Sequence, residues 1–347
     1  MWKFGWMIAD RDGIRCAPEI MNAAEVFAES LVDLAAANPA FAGIHTPQSA
    51  VGAAKVGVTE QFLERAEEYH RNYLDLDYWR FLLANALKAL GAMPDPKIVI
   101  DIGSGSGNSV IPLADRFPQA GIVATDISPQ LLAILRDSLR RRPDSERFAL
   151  VCVDATAAAF RAGVADLAVG AAILHHVLDP ARVIGSCFRA LKPGGWAIFF
   201  EPFEAGNTIL KLTYQRILAQ ASPAEKATAA MQFLERMVTD YTIRQRPKSD
   251  PIFRELDDKW LFTRTYFERV KAEQGWSELI TYGLNVCATP LRNQAVVQLK
   301  LGLQASSDAL PEWAWAVIDE MDAGISDDLK QEWVQEGAAL FRKPLQV

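Results

Sequence analysis

A chain of 347 residues has room for about two domains of ~150 residues, or for one elaborated α/β domain. Apolar residues make up 50% of it and charged residues 23%, with 21 Gly and 18 Pro, which excludes collagen, coiled coil and extended disorder and leaves a globular chain. With 36 Lys and Arg against 43 Asp and Glu, the net charge of -7 provides no global positive field for a phosphate backbone, so nucleic acid is not an expected partner.

Cys16, Cys152, Cys187 and Cys287 are far apart and form no C-x-x-C pair, so neither a zinc knuckle nor a disulfide framework is expected, and a reducing cytoplasm suits them. Trp2 to Ala9 is too short an apolar stretch for a secretory signal, and Asp10-Arg11-Asp12 follows it directly. Elsewhere no apolar run reaches the ~18 residues of a membrane helix, so no membrane contact is expected.

Residues 1–92 read as a helical N-terminal cap, with Val58, Phe62, Leu63, Ala66, Tyr69, Tyr73 and Leu76 near helical spacing. The prolines of Ala92-Met93-Pro94-Asp95-Pro96 disfavour helix and mark a boundary, after which the β-branched run Lys97-Ile-Val-Ile-Asp101 begins a domain spanning 93–303. Apolar runs at Ile98–Ile102, Gly121–Thr125, Phe148–Val153, Leu167–Ala172 and Trp196–Phe200 suit parallel strands buried on both faces. Ser128-Pro129 and Asp179-Pro180 place a capping side chain before a proline and so start helices between them. Alternation of this kind predicts an α/β fold with a doubly wound, Rossmann-like parallel sheet.

Residues 204–276 break the alternation and read as a helical insertion, opened by the capping-box spacing of Ser222-Pro-Ala-Glu225. Strand-like segments return at Ser277–Tyr282 and Gln294–Leu301, and 304–347 reads as a helical C-terminal extension. Trp313, Trp315 and Trp333 there are candidates for a homodimer or lid contact, although ordinary packing explains them as well.

The segment with chemical content is Val99-Ile-Asp101-Ile-Gly103-Ser-Gly105-Ser-Gly107-Asn108, where a strand must turn into a helix. A dinucleotide fingerprint G-x-G-x-x-G counted from Gly103 would need glycine at position 108, where Asn108 stands. Asp101 at the mouth of the loop would repel a pyrophosphate and attract a ligand carrying an ammonium group. S-adenosylmethionine carries an ammonium and a sulfonium but no phosphate. Asp126, at the end of the second strand of this sheet, can accept hydrogen bonds from both ribose hydroxyls of such a ligand, or can serve only as a capping residue before Ile127-Ser128.

The run Asp101-Ile-Gly103-Ser-Gly105-Ser-Gly107 resembles the D-x-G-x-G-x-G loop of class I S-adenosylmethionine-dependent methyltransferases, which wraps the methionine part of the cofactor. By this resemblance Asp154, ending the third strand, takes the place of the acid that accepts from the adenine amino group. Gly103, Ser104, Gly105 and Asn108 of the loop, with Ile127 and Ala155 beside the two acids, complete the expected cofactor site. In relatives an N-terminal aromatic touches the methionine carboxylate, a role open here to Tyr73 or Tyr69. The resemblance covers about 97–202.

After the fourth strand, Leu174-His175-His176-Val177-Leu178-Asp179 resembles the segment of the quinone-biosynthesis type of small-molecule methyltransferase. His175 and His176 lie at the cofactor edge and are the candidate catalytic residues, with His176 either a general base or a residue that only orients the cofactor. No divalent-metal cluster is evident. The resemblance implies methyl transfer from S-adenosylmethionine to oxygen, sulfur or nitrogen of a small molecule. A non-catalytic cofactor-binding scaffold and a protein or RNA methyltransferase are the alternatives. The insertion 204–276, leaving the sheet edge after Glu201, is expected to cap the pocket, with Glu201, Tyr214 and Arg216 facing the acceptor.

Overall fold

The computed structural model describes residues 21–52, 60–91, 93, 95–284, 286–305, 309–332 and 335–345. The expectations resting on Trp2 to Asp12, Cys16, Val58, Ala92, Pro94 and Trp333 lie outside the described residues.

Strands β1 (Leu31–Asp33), β2 (Ile44–Pro47), β3 (Ile98–Ile102), β4 (Gly121–Asp126), β5 (Phe148–Cys152), β6 (Ala165–Ala171), β7 (Leu191–Pro202), β8 (Glu278–Gly283) and β9 (Glu336–Arg342) form one sheet. Its order is β1-β2-β5-β4-β3-β6-β7-β9-β8. From β2 to β7 the neighbours are parallel, whereas β1 runs against β2 and β9 runs against both β7 and β8. The chain winds outward one way through β4 and β5 and the other way through β6 and β7, so the topological switch point lies beside β3.

Alternate residues of these strands feed two cores, which is why they read as continuous apolar runs. Ile100, Ile102 and Val123 face a core closed by the helices Pro180–Ala190 and Arg264–Gln274. Val99, Ile122 and Ala124 face the other, closed by Leu76–Leu90, Val110–Arg116 and Pro129–Leu139. A third core lies away from the sheet, among the helices Glu204–Gln220, Ala229–Arg244, Pro290–Leu303 and Glu312–Ala323.

Three expectations change. The N-terminal region is not wholly helical, because β1 and β2 extend the sheet beyond β5, a placement that three- and four-residue strands cannot signal locally. Gln294–Leu301 belongs to a helix started by Pro290, with Leu291, Ala295 and Leu299 buried at four-residue spacing. The C-terminal region is not a helical extension either. Its helix Glu312–Ala323 completes the third core, and β9 sits inside the central sheet, with Ala338 and Leu340 on one face and Ala339 and Phe341 on the other. Among the described residues no helix is long and apolar enough to cross a membrane.

Candidate functional site

At the carboxyl end of β3 the backbone reverses through Gly103 and Gly105, which have φ of 69° and 50°. A Cβ on Gly103 would meet the Ile173 side chain at 2.7 Å, whereas one on Gly105 would enter open space, so the first glycine permits close packing and the second keeps the loop surface clear. Asp126 ties the loop to the end of β4. Its Oδ2 accepts from the Gly105 N–H at 2.8 Å and its Oδ1 from the Ser128 N–H at 2.8 Å.

Above these strand ends lies a cavity of about 260 Å³. Gly103, Ser104, Gly105 and Asn108 line it together with Asp126, Ile127, Asp154 and Ala155, so every expected cofactor residue except Asp101 and Tyr73 borders one space. Asp154 fixes the turn after β5 by accepting from the Thr156 N–H at 2.8 Å and the Thr156 hydroxyl at 2.7 Å, both on Oδ1. The β6 side is contributed by Ala171, Ala172, Ile173, His176, Val177 and Leu178. Ala172 holds a positive φ of 55° there, a strained conformation for a residue with a Cβ.

Asp101 lies just below, completely buried, and among the described residues its carboxylate oxygens make no hydrogen bond of good geometry, the hydroxyls of Ser104 and Ser109 lying close by. Burial pushes its pKa up to about 6, partly opposed by the hydroxyls of Ser104 and Ser109. An uncompensated buried carboxylate is costly, and a ligand ammonium would relieve it, so the residues present fit S-adenosylmethionine.

The helix Ala66–Tyr73 crosses the glycine loop. His70 Nδ1 lies 2.8 Å from the Ser106 hydroxyl. Asn108, the residue that breaks the dinucleotide pattern, accepts from the Asp75 N–H at 3.0 Å and donates to the Tyr73 carbonyl at 2.9 Å. These contacts set the rotation of the helix so that Tyr69 lines the cavity while Tyr73 is 43% exposed, its ring tilted against that of Tyr69. Tyr73 is therefore not brought to the cavity wall, whereas Tyr69 is. Burial, then the nearby Asp126 carboxylate, hold the Tyr69 hydroxyl protonated well beyond its usual range.

The two histidines separate in role. His175 is buried, with Nδ1 2.6 Å from Glu201 Oε2, and it is not among the residues lining the cavity. His176 lines the cavity, packs edge-on against Phe62 and has Nδ1 3.1 Å from the Asp257 carbonyl. The segment 257–260 clamps this loop from outside: the Lys259 N–H donates to the His175 carbonyl at 2.7 Å and Trp260 Nε1 to the Val177 carbonyl at 2.9 Å. Asp258 Oδ1 stands 3.3 Å from His176 Nδ1 and 3.6 Å from His175 Nε2, while its Oδ2 faces Arg244 at 3.5 Å. Burial would raise the Asp258 pKa, but the His176 hydrogen bond and the nearness of His175, His176 and Arg244 outweigh it and keep the group well below the usual carboxylate range. Donor atoms of His175, His176 and Asp258 fall within 4.8 Å of one another. His176 Nδ1 is aimed at the Asp257 carbonyl and Asp258 Oδ2 at the Arg244 guanidinium.

The expected cap takes a different form. Glu201 does not face the acceptor; it accepts the backbone N–H groups of Ile173, Leu174 and His175. Tyr214 is buried in the third core, bonded to Gln298 at 2.9 Å, and Arg216 is paired with Glu320 at 2.8 Å. The apolar stripe Leu210, Tyr214, Ile217 turns its helix toward the bundle, leaving the segment 257–260 as the part of the insertion that meets the site. Sequence reasoning missed Lys259 and Trp79, which line the cavity, and Asp258. Phe62, read only as part of a helical stripe, lines it too.

Residues 100–199 match the family described as "Methyltransferase domain". The chain is 31% identical over 127 residues to a demethylmenaquinone methyltransferase of Thermus thermophilus, covering 35% of this chain and 57% of that one. It is 37% identical over 107 residues to a ubiquinone biosynthesis O-methyltransferase of Thiobacillus denitrificans, covering 30% and 43%. The chain thus spans about half the length of the curated relatives it matches. In overall fold it is similar to a chain of the solved Haloferax volcanii complex of the Trm112 methyltransferase activator, at TM-score 0.50 and 14% identity, covering 83% of this chain and 99% of that one.

Proposed function

We propose that the chain, whose residues 100–199 match a methyltransferase domain, is a class I S-adenosylmethionine-dependent enzyme that transfers a methyl group to a nucleophilic atom, by preference oxygen, of a small molecule. The observation that carries this reading is the convergence of the glycine loop, Asp126, Asp154 and the buried Asp101 carboxylate on one edge of the sheet, with His176 on the same cavity wall. Bound S-adenosylmethionine supplies an electrophilic methyl group on a sulfonium.

Asp101 balances the ammonium of the ligand, Asp126 accepts from its ribose hydroxyls, and Asp154 accepts from its adenine amino group. Tyr69 and Phe62 shield the cavity from solvent beside His176. Holding the acceptor in line with the methyl group supplies most of the acceleration, an effect worth ~7–11 kcal/mol in well-oriented systems. The two relatives are named for quinone biosynthesis, and the aromatic walls Phe62, Tyr69 and Trp79 suit a flat acceptor of that sort. The net charge of -7 favours such an acceptor over nucleic acid.

Calorimetry with S-adenosylmethionine and S-adenosylhomocysteine tests the cofactor half, and label transfer from methyl-labelled cofactor to a panel of hydroxyl, thiol and amine metabolites tests the acceptor half. Binding of both ligands with label on a small molecule is the expected result. Tight binding of NAD in place of either would overturn the reading.

A further inference from the structure

We propose that Asp258, with the carbonyl of Asp257, holds His176 as the proton acceptor of the site, and that the methyl acceptor is therefore a nucleophile that enters with its proton, as a hydroxyl compound does. The inference rests on the methyl-transfer reading above. A carbonyl oxygen can only accept, so the 3.1 Å contact to Asp257 places the ring proton of neutral His176 on Nδ1. The lone pair is then on Nε2, which has no hydrogen-bond partner among the described residues, on a ring that lines the cavity.

Asp258 Oδ1, 3.3 Å from the same Nδ1, faces the positive charge that develops on the ring when Nε2 takes a proton. Its own position is fixed by Arg244, whose guanidinium lies 3.5 Å from Oδ2 and also bonds Asp240 at 3.2 Å and the Trp260 carbonyl at 2.6 Å. Because Lys259 and Trp260 bond the backbone on either side of His176, the carboxylate and the ring are held together from two directions.

In the step, the acceptor oxygen forms a bond to the methyl carbon while the carbon–sulfur bond breaks with its electron pair going to sulfur. The hydroxyl proton passes to Nε2 of His176, and the imidazolium returns it to solvent after product release. Asp258 touches neither ligand and is a positioning residue. A thioether or tertiary amine has no proton to give and would gain nothing from this arrangement.

The test uses the full chain labelled with nitrogen-15 at histidine, with and without S-adenosylhomocysteine. The expected spectrum shows His176 protonated on Nδ1, with a downfield ring proton that exchanges slowly. In Asp258→Asn that proton moves upfield and exchanges at least tenfold faster, while affinity for S-adenosylhomocysteine changes by less than about twofold. Protonation of wild-type His176 on Nε2 overturns the proposal even if every variant fails to fold. So does a ring-proton signal unchanged in both Asp258→Asn and Asp258→Ala. If the wild type binds no S-adenosylhomocysteine, the methyl-transfer reading fails, and the ligand-free spectrum still decides the His176 geometry. In the labelled panel, turnover should fall at least tenfold in Asp258→Asn with a smaller change in KM, and label found only on tertiary amines would sink the substrate class.

Discussion

The carboxylate of Glu201, at the end of β7, holds the ring of His175 at 2.6 Å, and its oxygens also accept three backbone N–H groups of the turn after β6. A residue expected to face the acceptor thus acts one layer below it, shaping the turn that carries His176 to the cavity. Glu201→Gln would turn an amide donor toward backbone donors in a buried place. The expected loss is about 1–3 kcal/mol of stability, read from urea unfolding, and an unchanged midpoint would contradict the assignment.

Asp126 both braces the glycine loop and borders the cavity. Asp126→Ala should weaken S-adenosylhomocysteine binding by ~1.5–3 kcal/mol, the range for hydrogen bonds to a charged group. Calorimetry giving wild-type affinity would remove the ribose role.

Asp101 makes stability depend on pH in an unusual direction. Its pKa is raised by burial from 3.8 to about 6, so between those values the folded chain keeps a proton that the unfolded chain has lost. Stability contributed by this group therefore falls as pH rises across that window, by roughly 3 kcal/mol in total. An ammonium ligand stabilises the ionised form, so affinity for S-adenosylhomocysteine should rise over the same range. Asp101→Asn should flatten both slopes, and parallel slopes in wild type and variant would refute the account.

His176→Ala should lower turnover by ~10²–10⁴-fold while leaving S-adenosylhomocysteine affinity within a few-fold. His175→Ala serves as the comparison, since it breaks the Glu201 contact and should be seen first in thermal unfolding. Equal turnover in wild type and His176→Ala would leave that histidine a packing residue.

Tyr214 separates the bundle from the site. Tyr214→Phe removes the hydroxyl that bonds Gln298 and should cost about 1–2 kcal/mol of stability with no change in cofactor affinity or acceptor choice. A changed acceptor profile in this variant would restore the insertion helices to the pocket.

The glycine loop, the strand-end acids and the alternation from β3 to β7 were legible in the sequence because each rests on local rules. A strand turning into a helix needs glycine where φ is positive, and a strand buried on both faces is apolar throughout. Tyr69 against Tyr73 was not decidable in this way, since both belong to one helical stripe and the rotation is set by Ser106 and Asn108 from another part of the chain. The same holds for β9, which is a strand because β7 and β8 flank it, and for the insertion, whose helices turn toward Pro290–Leu303 and Glu312–Ala323 instead of the cavity. Asp258 carries no motif at all. Its meeting with His176 depends on Arg244, Lys259 and Trp260 folding the segment back over β6, and long-range packing of that kind leaves no period in the sequence to read.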